Sequence, residues 1–372
     1  MKKSSSFVAQ VGLLASGITF LLTLIIGVSG SLPMLFLESS AQGCTTFSTA
    51  VNGKVIFGKT YDWNMEQGYV MVNKRHVEKT AIALLPGDRP VTWQSTLGSV
   101  TFNQYGRELP NAGVNEAGLV VEVMVLSSSA FPSAQQSDDS INETQWVQYI
   151  LDQASTIDDA VALANQVRIS KVMVPLHYQV CDVTGDCAAF EYIGGILRIS
   201  RGSNFSKHVL TNSTYADSTQ FLAQHLGFGG SRPIPAGQAS LDRFVRMSDL
   251  IRRMETSTQA AVPAGFQALD GVADASTKWR IIYEISDHVV NFRTQTATAT
   301  KSVRTDGFDF SCLTPVKMIN MRSAQSGDVT ASFVDYDGVT NAALVRQSLG
   351  SPVPQVVVDR ATAMPGTTRC LD

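Results

Sequence analysis

The chain has 372 residues, of which 44% are hydrophobic and 16% charged, and a formal net charge of −3. Such a length suits one large domain or two ordinary ones with ample core. The charged share lies below the roughly 25% of an average soluble domain, and mean hydropathy is only +0.05, which excludes both a disordered chain and a polytopic membrane protein. A pI of about 6.0 without a long basic run leaves nucleic-acid binding no electrostatic footprint. Five cysteines and five histidines are too few and too scattered for a zinc-finger array.

The first feature in chain order is a leader. Lys2 and Lys3 precede an apolar run from Phe7 to Val28, and no charge follows until Glu38. About 20 such residues can span a bilayer as a permanent anchor. A basic start, an apolar middle and small residues at a cut site also make a secretory signal, and Ala41 and Gly43 supply its −3 and −1 positions before Cys44. We read residues 1–43 as a cleaved signal and 44–372 as one domain, exported to the periplasm or secreted by a bacterium. Loss of Lys2, Lys3 and Glu38 leaves 329 residues with 27 basic and 31 acidic side chains, with no stable membrane span and with disulfides permitted.

Cys44 then becomes the first residue, for one of two reasons. A lipoprotein signal also ends just before a cysteine that is then acylated, although Gln42 stands where such signals carry a small residue. The other reason is catalytic. An α-amine titrates at about 7.7–8.0 and a free thiol at about 8.5, so the amine of a terminal cysteine can take the proton of its own thiol without a histidine.

Two β-prone runs, 44–50 and 54–63, flank Asn52-Gly53, the strongest short hairpin signal. The hairpin folds Lys59 and Asp62 back toward Cys44. Period-2 geometry keeps the two off a common face, so Asp62 is expected past the strand end. A cation there favours a thiolate, and a carboxylate orients an ammonium. Residues 69–125 read as successive strands with turns at Pro86-Gly87-Asp88, Gly98 and Pro110-Asn111. Ser127 to Asn142 is a polar connection long enough to be a loop near a pocket. Val147, Ile150, Leu151 and Ala154 share one helix face. A second helix begins near Thr156, with Asp158 and Asp159 in its first turn. Residues 172–200 predict a hairpin, Ser218–Leu226 and Asp242–Met254 helices, 260–275 a loop, 279–295 and 302–320 strands, and the remainder an irregular tail. No repeat or linker divides the chain, and this order suits an α+β sandwich of two sheets between helical layers.

Cys181 and Cys187 flank Val183-Thr184-Gly185, which places them opposite each other in a hairpin and makes them a disulfide pair in an exported protein. Cys312 and Cys370 would then pair, leaving Cys44 odd; the alternative is four buried free thiols. His76, His177, His208, His225 and His288 lack metal-ligand spacing and read as surface or satisfied core residues. Nothing around them supports a Cys–His protease, and no metal or cofactor is expected.

Cys44-Thr45-x-Phe47, followed by the hairpin and Phe57-Gly58-Lys59-x-x-Asp62-Trp63, resembles the start of the choloylglycine hydrolase family of penicillin V acylases and bile-salt hydrolases, within the N-terminal-nucleophile hydrolases. The similarity continues through Val114-Asn115-Glu116-Ala117-Gly118-Leu119, Val209-Leu210-Thr211-Asn212, Arg243-Phe244-Val245-Arg246, and Trp279-Arg280 to Phe292-Arg293-Thr294, so it covers about residues 44–320. The resemblance implies a four-layer αββα sandwich of antiparallel sheets and an amidase cleaving a linear N-acyl amide. It also implies a small-molecule amide partner and a homo-oligomer. Carried over by position, Cys44 matches the nucleophile, Asp62 the carboxylate beside it, Asn212 the asparagine near the reacting carbonyl and Arg243 the active-site arginine. Two positions depart from the pattern. Lys59 replaces an arginine, keeping the charge without the planar fork. Val125 stands where bile-salt hydrolases place an oxyanion-binding asparagine, so the oxyanion donors are expected from Asn212 and a backbone N–H. Tyr61, Trp63 and the 127–142 loop are the expected pocket residues. The competing reading is a non-catalytic lipoprotein or binding protein lipidated at Cys44.

Overall fold

A computed structural model describes residues 43–82, 88–133, 139–171, 173–350 and 353–372. The expected leader, most of the Pro86-Gly87-Asp88 turn and the middle of the 127–142 connection lie outside these residues.

The chain opens with the hairpin that Asn52-Gly53 predicts. Strand β1 (Thr45–Val51) pairs with β2 (Lys54–Asp62) in antiparallel register, Val51 opposite Lys54 and Thr45 opposite Thr60. Asn52 (φ 51°) and Gly53 (φ 76°) both take the left-handed conformations of a type I′ turn. Asp62 is the last residue of β2 rather than a residue beyond it, opposite Thr277 of the neighbouring strand.

This hairpin lies in a seven-stranded sheet ordered 209–210, β1, β2, 277–284, 289–294, 301–304, 327–328. A nine-stranded antiparallel sheet faces it, ordered 196–201, 187–193, 176–181, 120–125, 112–115, 99–103, β3 (Tyr69–Asn73), 317–320, 334–335. The two meet through aromatic side chains. Phe102 of the larger sheet sets its ring edge-on to Phe292 and Tyr283 of the smaller one, with centroids 5.5 and 6.2 Å apart.

Helices α1 (Gln145–Gln153) and α2 (Ile157–Ala164) cover the outer face of the nine-stranded sheet. Thr156 caps α2 in a reciprocal capping box with Asp159. Helices α3 (Tyr215–Leu222), α4 (Ser240–Met254) and α5 (Ala261–Asp270) cover the seven-stranded sheet, and α4 buries Phe244, Val245, Met247 and Ile251 against it. The result is the expected four-layer αββα sandwich.

Four further expectations are corrected. Helix α3 starts ahead of Ser218, because Thr214 accepts a hydrogen bond from the Asp217 N–H and so provides an earlier cap. The 260–275 segment is helical, because Pro263 falls in the first turn, where its missing N–H would have no intrahelical partner anyway. The tail holds α6 (Gly338–Ser348) and α7 (Gln355–Ala363), packed on each other, with Asp337 capping α6 through the Val339 and Thr340 N–H groups. The expected 302–320 strand is split. Residues 301–304 finish in one sheet and 317–320 enter the other.

Cys181–Cys187 bridges paired positions of the 176–193 hairpin, Cys312–Cys370 ties the C-terminus back, and Cys44 is free. No helix among the described residues is long and apolar enough to cross a membrane.

Candidate active site

Alternation along β1 and β2 decides where each side chain of the hairpin points. Thr46, two residues from Cys44, reaches the facing sheet through Gln179 Oε1 at 2.7 Å. Lys59 does the same, donating to the Val123 carbonyl and lying 3.4 Å from Glu122 Oε2. Thr45 turns the other way, toward α4, where its hydroxyl accepts from Arg243. Cys44 sits at the head of this arrangement, buried, its Sγ 4.0 Å from the Asp62 carbonyl oxygen.

Arg243, on the inner face of α4, gathers the site. Its Nη1 donates to the Cys44 carbonyl (2.6 Å) and Thr45 Oγ1 (2.7 Å), its Nη2 to Asn212 Oδ1 (2.8 Å), and its Nε to the Gln238 carbonyl (3.2 Å). Residue 43 lies directly against this guanidinium. Because Arg243 occupies Oδ1 of Asn212, the amide orientation is fixed. Its Nδ2 donates to the Val125 carbonyl at 2.8 Å, and the second Nδ2 hydrogen is left for another acceptor.

The electrostatics follow from burial. Desolvation pushes the Cys44 thiol up, while the Lys59 ammonium pulls it down and the Asp62 carboxylate raises it. Desolvation likewise raises Asp62 to about 6, opposed by a hydrogen bond with Thr277 and the Arg243 charge. Asp62 Oδ1 is buried with no hydrogen-bond partner among the described residues, an unused acceptor near the terminal residue of the strand. Burial raises Glu122 to about 7 against the pull of Lys59 and a hydrogen bond from Tyr283.

A narrow cavity of about 20 Å³ touches Cys44, with Tyr61, Trp63, Tyr105, Met124, Val125 and Leu176 among its walls. Both expected pocket residues therefore line it. Tyr61 is held rigidly, stacked on Trp279 with centroids 4.4 Å apart and donating its hydroxyl to Gln104 Oε1 at 2.7 Å. In the described part of the 127–142 connection, Phe131 packs on Tyr192, and residues 134–138 lie outside the described residues. Tyr105 and Leu176 were not anticipated, and no local motif marks them. A larger hollow of about 430 Å³, lined by Lys207, Phe228 and Arg252, lies along β1 beyond Ser48 and includes no part of Cys44.

The five site residues thus lie together: Arg243 bonds both the Cys44 carbonyl and Asn212, and Lys59, Asp62 and Arg243 are the charges that act on the Cys44 thiol. The histidines stay outside this group. His177, for example, is a satisfied core residue between Glu191 (3.1 Å) and the Thr211 carbonyl (2.7 Å). Asn115 of the Asn-Glu-Ala-Gly motif is structural, accepting from the Ala117 and Leu119 N–H groups and donating to the Leu151 and Ala154 carbonyls.

Two facing antiparallel sheets between helical layers, with a cysteine heading the first strand, define the fold of the N-terminal-nucleophile hydrolases. Solved structures agree. The penicillin V acylase of Agrobacterium tumefaciens superposes with a TM-score of 0.69 at 26% identity, covering 79% of this chain and 98% of its own. A variant of the conjugated bile acid hydrolase of Clostridium perfringens shares the fold, with a TM-score of 0.62 at 14% identity over 76% of this chain and 98% of its own. In sequence, the penicillin V acylase of Pectobacterium atrosepticum is 28% identical over 240 residues, which is 53% of this chain and 63% of that relative's length. The family model for linear amide C-N hydrolases of the choloylglycine hydrolase family matches residues 44–274. The chain belongs to that family.

Proposed function

We propose that this chain is an exported amidase that hydrolyses a linear N-acyl amide with Cys44 as its N-terminal nucleophile, after removal of residues 1–43. The observation that carries this reading is the juxtaposition at Cys44. Its free thiol heads the strand beside Lys59, and a buried, unpartnered Asp62 oxygen lies near it. The Arg243–Asn212 pair stands beside its backbone, and the family match begins at this residue.

While Gly43 acylates it, the Cys44 nitrogen is an amide and no base. Once the Gly43–Cys44 bond is cut, the amine takes the thiol proton and Sγ attacks the substrate carbonyl carbon. The oxyanion accepts the free Nδ2 hydrogen of Asn212. Collapse breaks the C–N bond as the ammonium protonates the departing amine, leaving a thioester. Water then attacks with its proton passing to the amine, the C–S bond breaks, and the acid leaves while the thiol is restored. Asp62 orients the ammonium, Lys59 favours the thiolate, and Arg243 holds Asn212 in register.

The apolar, aromatic walls suit the acyl half of the substrate. Their tight spacing favours a flat aromatic acyl group, such as the phenoxyacetyl of penicillin V, or a straight aliphatic one, over a fused-ring bile acid. Two measurements test the reading. Mass spectrometry of the native protein should find an unmodified Cys44 at the N-terminus; a diacylated one would support the lipoprotein instead. Cys44→Ala should remain folded and lose turnover across a panel of penicillin V, acyl homoserine lactones and conjugated bile acids. Wild-type rates in that variant would refute the mechanism.

A further inference from the structure

Asn212 does its work only if both its backbone and its amide are held, and Arg243 holds only the amide. The backbone is gripped elsewhere. Ser240 Oγ lies 2.9 Å from Thr211 Oγ1, 2.9 Å from the Asn212 nitrogen and 2.8 Å from Ser213 Oγ. A serine hydroxyl has one hydrogen and two lone pairs. The Asn212 N–H and the Ser213 hydroxyl fill the lone pairs, so the Ser240 hydrogen goes to Thr211. Three consecutive residues saturate one oxygen, and the middle one is Asn212.

From the opposite side, the buried His177 meets the Thr211 carbonyl at 2.7 Å, while Glu191 occupies its other ring nitrogen. Ser240 opens α4, one helical turn before Arg243, and residues three apart lie on the same helix face. One turn of α4 therefore holds Asn212 twice, its main chain through Ser240 and its side chain through Arg243 (2.8 Å).

We propose that Ser240 is a positioning residue for the amide-hydrolysis step, keeping the free Nδ2 hydrogen of Asn212 aimed at the developing oxyanion. This rests on the role assigned to Asn212 above. Losing the hydroxyl frees the Asn212 N–H, and the tri-residue segment shifts while the thiol and its amine stay in place. Displacing a catalytic donor by about 1 Å costs up to about 100-fold in rate.

The test is a double-variant cycle on the mature protein, using whichever panel amide the wild type turns over fastest. Ser240→Ala should lower kcat about 10- to 100-fold with KM within about threefold. Ser240→Thr, which restores a hydroxyl, should recover most of that loss. In an Asn212→Ala background, Ser240→Ala should change kcat less than about twofold, because its target has gone. The rate of Cys44 alkylation by iodoacetamide should match wild type in every Ser240 variant. Full activity in Ser240→Ala, or the same loss with and without Asn212, would overturn the inference while leaving the nucleophile assignment standing. If Asn212→Ala alone keeps wild-type turnover, the role of Asn212 falls and the inference with it. A slowed alkylation rate would place the effect at the thiol and also overturn it.

Discussion

Glu122→Gln removes a charge beneath the site while keeping the shape that carries it. Glu122 is fully buried, with the Tyr283 hydroxyl 2.8 Å from one oxygen and Lys59 Nζ 3.4 Å from the other. Burial carries its carboxyl from 4.5 up to about 7. A carboxyl that titrates higher when folded holds its proton more tightly in the folded state. Its contribution to stability is therefore greatest below pH 4.5 and declines as pH rises through the window up to about 7. That window corresponds to about 3 kcal/mol. Glutamine has no proton to lose, so the variant lacks this slope. Relative to wild type, Glu122→Gln should gain about 3 kcal/mol between pH 5 and pH 8. Urea unfolding of both proteins at the two pH values measures the difference. Parallel stability profiles would refute the claim that desolvation of Glu122 outweighs its attraction to Lys59.

Arg243→Lys loses the planar fork that reaches Cys44, Thr45 and Asn212 together. We expect a folded protein by circular dichroism whose kcat falls about 100-fold, since a single ammonium cannot span those acceptors. Burial raises Asp62 to about 6 while Gly43 is attached, and the terminal ammonium freed by processing pulls it back down. Accordingly kcat/KM should climb at or below pH 6 as Asp62 ionises, and Asp62→Asn should leave a low, flat acid limb in the pH–rate profile. The disulfides differ in the loops they close, with sequence separations of 58 for Cys312–Cys370 and 6 for Cys181–Cys187. Chain entropy then assigns about 4 kcal/mol to the first and about 2 kcal/mol to the second. Calorimetry on the two paired Cys→Ser variants should show the larger drop in Tm for the 312–370 pair, and equal drops would contradict the entropic account.

The parts of this protein that sequence reveals are those governed by neighbours in the chain. Asn52-Gly53 announces the first hairpin because only residues tolerant of positive φ fit its turn. Apolar spacing reveals α1, and Thr156 with Asp159 marks the start of α2. Cys44, Asp62, Asn212 and Arg243 are readable because a family pattern ties them together across 200 residues. What escaped is of two kinds. Helix α5 hides behind Pro263 and Gly265, which read as breakers until Pro263 is placed in the first turn. Ser240, His177 and Glu122 are ordinary residues in sequence. Their importance comes from partners 28, 34 and 63 positions away (Asn212, Thr211 and Lys59), a separation that no local pattern records. Lys59 shows the same limit from the other side. Its charge near the thiol is predictable, whereas the carboxylate that shares that charge is not.

Under the proposed maturation, Gly43 bears on when the leader would be removed. A Cβ at this position would come within 2.6 Å of Arg243 Nη2, so alanine here forces the Arg243 guanidinium out of its place once α4 has docked. Export peptidases accept alanine and glycine alike as small residues before the cut. A polypeptide trimmed while still extended never experiences this collision, whereas one trimmed after folding does. The yield of mature protein from a Gly43→Ala precursor therefore acts as a clock, reporting whether maturation precedes or follows closure of the helical layer.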